Sequence, residues 1–224
     1  MEFNSRQILV GITGRNVEEL KNKIAEAEKL NITTVLLFLT FLNPFEKKKV
    51  YELLLSSNIK EIPLVHLRND MNKKEVEFFV KKFNTKCFTI HESSFRYLKK
   101  WKGFEKKLFL EFNYDNKISK KVDVNKIGGF CIDLSHFKAS QERKTKDDLY
   151  ILNHKKVLFF GNHLNGYDWK NKLDMHTVKS IRDFDYLKTL PKFIFGKYIA
   201  LEMFNPISEQ LKLKKYLEKF LKKI

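Results

Sequence analysis

Gly161-Asn162-His163-Leu164-Asn165-Gly166, then Leu173-Asp174-Met175-His176, then Leu201-Glu202-Met203-Phe204 is the part of the chain on which the fold turns. An apolar run at 157–160 leads into a histidine. A polar loop carries an Asp-x-His pair, and the next apolar run, 198–201, ends in a glutamate. The pattern repeats upstream: a short apolar run, then a side chain able to bind a metal, with five of the six histidines at such places.

Working outward, short apolar runs rich in β-branched and aromatic residues predict strands at 7–13, 33–40, 62–67, 86–90, 107–112, 128–133, 156–162 and 196–201. Helical spacing separates most of them. Asn16 caps a helix with Val17, Leu20, Ile24, Ala27 and Leu30 on one face. Asn43-Pro44 opens the next, and Asn72 with Glu75 makes a capping-box start for another. Further helices are expected through Phe95, Leu98 and Trp101, across 139–152, across 177–190, and from a Ser208 cap to the end. The connection 113–126 is polar and is a poor helix candidate. Eight strands alternating with helices predict an α/β fold, a compact (β/α)8 TIM barrel spanning 1–224 as a single domain, where about 250 residues is typical. The rival, an open doubly wound sheet, lacks its signature because no Gly-x-Gly-x-x-Gly follows the first strand.

At 224 residues and 43% apolar content the chain suits one buried core. No run of about 18 apolar residues exists, so no membrane span is expected. The start, Met1-Glu2-Phe3-Asn4, lacks the order of a signal peptide. Cys87 and Cys131 both sit inside apolar runs, which predicts reduced core residues in a cytoplasmic protein. The formal charge of +17 suits a polyanion such as nucleic acid. It equally suits a general lysine bias, since few of the basic residues are arginine, and net charge speaks to solubility rather than to a site. Nothing in the sequence marks a protein partner, and a monomer is expected.

In a β/α barrel, chemistry gathers at the carboxyl ends of the strands. Here those ends read His66, His91, Glu111, Asp133 with His136 three residues on, His163 and Glu202. Leu64 and His66, Thr89 and His91, Phe109 and Glu111, and Cys131 and Asp133 keep the two-residue alternation that aims both members of each pair inward. Several buried carboxylates with no counter-charge are costly, and a divalent cation removes that cost. Imidazole with carboxylate suits zinc, manganese or iron, and no cysteine lies near enough for a thiolate site. Taken singly, each histidine is more readily a hydrogen-bonded structural residue. Asp133-Leu134-Ser135-His136 could be a helix cap, and Asp174-Met175-His176 a loop cap. Recurrence in register with the strands favours a shared metal pocket. His154 falls at the opposite end of its strand and is left out. Asp168 and Trp169 read as ordinary polar loop. Arg68 either meets an anion or is a solvated helix start beside Asp70.

The stretches Cys131-Ile132-Asp133-Leu134-Ser135-His136, Asn162-His163-Leu164-Asn165, Asp174-Met175-His176 and Leu201-Glu202-Met203 resemble the xylose-isomerase-like barrel superfamily. Within it they resemble the endonuclease IV branch of apurinic/apyrimidinic endonucleases, over strands three to eight. The resemblance implies three Zn2+ ions, with Mn2+ or another divalent ion as a substitute. His66, His91 and Glu111 would hold the first. Glu111 would bridge to a second on Asp133, His163 and Glu202, and His136, Asp174 and His176 would hold the third. The implied activity is cleavage of duplex DNA 5′ to an abasic site by a zinc-bound hydroxide, with Glu111 and Glu202 at the catalytic heart. The chain departs from that branch at Gly166, at Phe112-Asn113 after Glu111, at 67–70 after the first histidine, and in its short loops. The alternative is a sugar or sugar-phosphate isomerase or epimerase, with Glu111 and Glu202 holding one divalent metal and trading protons at the substrate carbon. A third possibility is a non-catalytic basic barrel that binds nucleic acid.

Overall fold

A computed structural model describes residues 6–222. Eight parallel strands close into a barrel: β1 (Gln7–Ile12), β2 (Leu36–Phe38), β3 (Leu64–His66), β4 (Cys87–His91), β5 (Leu108–Glu111), β6 (Gly129–Asp133), β7 (Phe159–Leu164) and β10 (Tyr198–Leu201). They neighbour one another in chain order, and β10 pairs with β1 to complete the ring. The expected (β/α)8 barrel is the fold. Two further strands, β8 (Gly166–Asp168) and β9 (Leu173–Met175), make a separate antiparallel hairpin where the sequence suggested only a loop.

Alternate residues point into the barrel. Leu36, Phe38, Leu64, Cys87, Phe109, Cys131 and Ala200 form its filling, and both cysteines are free and buried there. The other parity faces the helices and joins the larger core. One step of two residues beyond Leu64, Thr89, Phe109, Cys131, Gly161 and Ala200 come His66, His91, Glu111, Asp133, His163 and Glu202. Period-two geometry therefore delivers all six to the same mouth. The register brings them together across strands: His91 opposite Glu111, and Asp133 opposite His163.

The helices α1 (Val17–Lys29), α2 (Pro44–Ser56) and α3 (Lys73–Phe83) begin as the sequence indicated. Asn16, Asn43 and Asn72 accept first-turn N–H groups, and the last two close full capping boxes with Glu46 and Glu75. The segment 92–101 is 3-10 rather than α. No α-helix forms across 113–126, only a 3-10 turn at Val124–Lys126.

Three further expected helices differ. The single helix at 139–152 is two, α4 (Leu134–Arg143) and α5 (Asp147–Asn153), because Lys144 takes a left-handed φ of 55° and ends the first. The first also starts earlier, since Asp133 caps it through the N–H groups of Ser135 and His136. The segment 177–190 is 3-10 over Ile181–Thr189, opened by a capping box of Ser180 and Asp183. The last helix, α6 (Ile207–Leu221), is not capped by Ser208. Glu26 of α1 accepts the Ile207 and Ser208 N–H groups at 2.7 and 2.9 Å, a cap supplied from across the molecule. Among the described residues no helix is long and apolar enough to cross a membrane.

Candidate metal centre

The mouth holds two groups of donors that share Glu111. In the first, one ligand atom each from His66, His91 and Glu111 lies within 4.8 Å of the others; in the second the same holds for Glu111, Asp133, His163 and Glu202. His66 Nε2 stands 3.1 Å from His91 Nε2 and 3.3 Å from Glu111 Oε2. The Nδ1 atoms of both rings are buried with no hydrogen-bond partner among the described residues. His163 Nδ1 faces Glu111 Oε1 at 3.0 Å and Glu202 Oε2 at 3.2 Å, while its Nε2 meets the Thr89 hydroxyl at 3.1 Å.

Among the described residues these buried carboxylates pair with no lysine or arginine. Glu111 and Asp133 are each 2% exposed and Glu202 8%. Histidines are their only basic partners in the ion pairs of the described residues. Several nitrogens and acidic oxygens converging where the carboxylates are buried is an arrangement that a divalent cation stabilises. The donor set fits zinc, manganese or a similar ion, and these buried groups can hold one.

A third group lies on the flank. His136 and His176 each donate Nδ1–H to a main-chain carbonyl, those of Phe112 and Glu202, both at 3.1 Å. This fixes the tautomer and leaves each Nε2 for a ligand, the arrangement found behind metal-binding imidazoles. Both Nε2 atoms face Asp174, at 3.9 and 3.1 Å. His136, Asp174 and His176 thus gather as expected, but more loosely than the inner set. The Asp133 cap and the metal-facing role coexist: Oδ1 accepts from the Ser135 N–H, the Ser135 hydroxyl and the His136 N–H, and Oδ2 accepts from Asn165 at 3.0 Å. All nine sequence-marked donors therefore sit at one mouth.

Arg68 does not reach for an anion. Its guanidinium is tied to Asp70 and to the carbonyls of Leu39 and Thr40, so the structural reading holds. His154 stacks on Tyr150, outside these donor groups. Asp168 caps its own turn through the Lys170 and Asn171 N–H groups. Tyr114, Asn165 and Thr89 were not foreseen as site residues. Tyr114 donates its hydroxyl to Asp174 at 2.5 Å, from a connection with no periodicity to flag it. Asn165 could have been noticed, because it follows His163 at the spacing of the next inward position.

The charges of the cluster shape one another. Burial opposes ionisation of Glu111, but His163 and His91 outweigh it and hold the carboxyl well below its usual value. Burial lowers His91 to about 4. Burial also opposes charge on His163, His136 and His176, yet the carboxylates win and raise all three, His176 to about 10. A histidine raised in the fold stabilises it fully below its unfolded pKa of about 6.5, and loses that contribution as pH climbs through about 10. With its pKa raised to about 10, His176 carries a proton at pH 7 in the metal-free chain, and a cation bound there must displace it. Zinc titrated into metal-free protein at pH 7 should release protons. The calorimetric heat should then change with the ionisation enthalpy of the buffer, and equal heats in phosphate and Tris would contradict this electrostatic picture.

No protein-family model matches the chain, and no curated protein matches it significantly. Among solved structures, one titled "Crystal structure of D-tagatose 3-epimerase-like protein" matches with a TM-score of 0.53 at 15% identity, over 96% of this chain and 97% of that one. At that identity the likeness is one of fold, a closed eight-stranded barrel of parallel strands, along nearly the whole chain. It does not reach the endonuclease IV branch.

Proposed function

We propose that this chain is a divalent-metal-dependent isomerase or epimerase of a sugar or sugar phosphate. The observation that carries the reading is the convergence of Glu111 and Glu202 on His163 Nδ1, at 3.0 and 3.2 Å, with Asp133 locked beside them. Glu111, Asp133, His163 and Glu202 would hold the cation, which when bound polarises the substrate carbonyl and acidifies the neighbouring C–H. Burial opposes ionisation of Glu202 as it does of Glu111, but the imidazoles hold both carboxyls below their usual value, so the two would trade one proton: a carboxylate takes it from the carbon beside the carbonyl, and the acid so formed returns it to the substrate. Thr89 fixes the His163 ring, and Asn165 fixes Asp133, so the reacting groups are held before substrate arrives. A cleft of about 330 Å3 lined by Thr40, His66, Asn69, His91 and Ser94 adjoins the centre, a size that suits a small ligand. The protein of like fold is described as D-tagatose 3-epimerase-like, in the same substrate class.

A second reading, hydrolysis of duplex DNA 5′ to an abasic site, is favoured by one specific observation. His66 with His91, and His136 with Asp174 and His176, flank the inner four donors and have no role in a one-metal isomerase. Here the nine residues would hold three ions, zinc by preference, and the net charge of +17 would serve the DNA.

Metal-loaded protein in D2O with a panel of ketoses and ketose phosphates separates the two. Deuterium is expected at the carbon beside the carbonyl, followed by NMR and abolished by chelator, with about one tightly held cation per chain. Incision of an abasic duplex, with about three zinc ions bound and no deuterium entering any sugar, would reverse the order.

A further inference from the structure

Glu92, Asp115 and Asp147 form an acidic cluster apart from the histidine-rich centre. Glu92 begins the 92–101 segment after β4, Asp115 lies in the 113–126 connection, and Asp147 opens α5. One carboxylate oxygen of each lies within 4.8 Å of the other two. A hard divalent ion at about 2.3–2.6 Å from each oxygen spans that separation.

An independent observation points to a ligand. Glu92 Oε2 and Asp147 Oδ1 are sealed from solvent and have no hydrogen-bond partner among the described residues. The two side chains are only 7% and 1% exposed. Asp147 engages its other oxygen with the Asn116 N–H at 3.1 Å. Asp115 turns one oxygen to the Lys117 N–H, and the Lys117 ammonium stands 3.9 Å from its other. That ammonium side chain is 81% exposed and forms no ion pair with either buried carboxylate among the described residues. Orphaned buried carboxylate oxygens are costly, and native proteins rarely leave them so.

We propose that Glu92, Asp115 and Asp147 hold a calcium ion. Every donor is an oxygen, which selects a hard cation over zinc or copper. A cleft of about 490 Å3 reaches Glu92 and Asp115, and Arg96, Lys117 and Lys121 also line it. The ion stabilises the connection that stands where a barrel helix would be, and joins it to the segments after β4 and before α5. Tyr114, beside Asp115, bonds to Asp174, so ordering this connection also steadies the flank of the centre.

Calcium chloride titrated by calorimetry into zinc-loaded protein tests the site. One binding event is expected, with retained zinc and a raised melting temperature. Asp115→Asn and Asp147→Asn should each weaken it by about ten-fold or more. Asp115 is exposed, so its variant keeps the fold if Asp147→Asn does not. Absence of calcium binding at millimolar concentration, binding that only displaces zinc, or unaltered affinity in Asp115→Asn would overturn the proposal.

Discussion

Glu111→Gln is expected to lower turnover by at least about 10³-fold, roughly 4 kcal/mol in the barrier, and to strip cation from the inner centre while leaving the barrel folded. Glu111 is the only residue common to both inner donor groups, with Oε1 on His163 and Oε2 near His66. Glutamine keeps its shape but loses the negative charge. The loss should appear together in metal content, by inductively coupled plasma mass spectrometry, and in deuterium exchange or abasic incision. The contrast with His66→Ala is informative, because His66 belongs to the first group and not to the second. A one-metal isomerase should keep its four inner donors and most of its activity after that change, whereas a hydrolase should lose one ion and most cleavage. Full metal content and full turnover in Glu111→Gln would remove the basis for either reaction.

Gly129→Ala should destabilise the fold by at least about 3 kcal/mol, a fall in melting temperature of about 6–12 °C for a chain of this size. Gly129 has a φ of 137°, and an added Cβ would sit 2.1 Å from the Leu158 carbonyl oxygen. That oxygen is main chain and accepts the Phe130 N–H, so it cannot swing aside. The position lies next to the register shift between β6 and β7, and Asp133 ends the same strand. Urea unfolding followed by circular dichroism would read the change, and an unchanged midpoint would contradict the close approach.

How legible the site was depended on the kind of structure carrying each donor. Six donors ride on strand ends, where alternation in the sequence translates directly into an inward direction. The Asp174–His176 pair sits at the end of a hairpin strand of three residues, too short for periodicity to declare. Its supports come from far away in the chain: Tyr114 on Asp174 and the Glu202 carbonyl on His176. The same distance in sequence hid the Glu26 cap on α6 and the carboxylate cluster of Glu92, Asp115 and Asp147.

By itself, the sequence determined the alternation of strands and helices, the closed barrel, and the rim that carries imidazoles and carboxylates, because these follow from periods of two and from local caps. Tertiary structure alone decided which donors touch, which ring nitrogen of His136 and of His176 is left for a ligand, how deeply the carboxylates are buried, and that Arg68 is tied to Asp70 and two main-chain carbonyls. Those properties depend on register between strands and on hydrogen bonds closed across tens to hundreds of residues, and no local pattern encodes them.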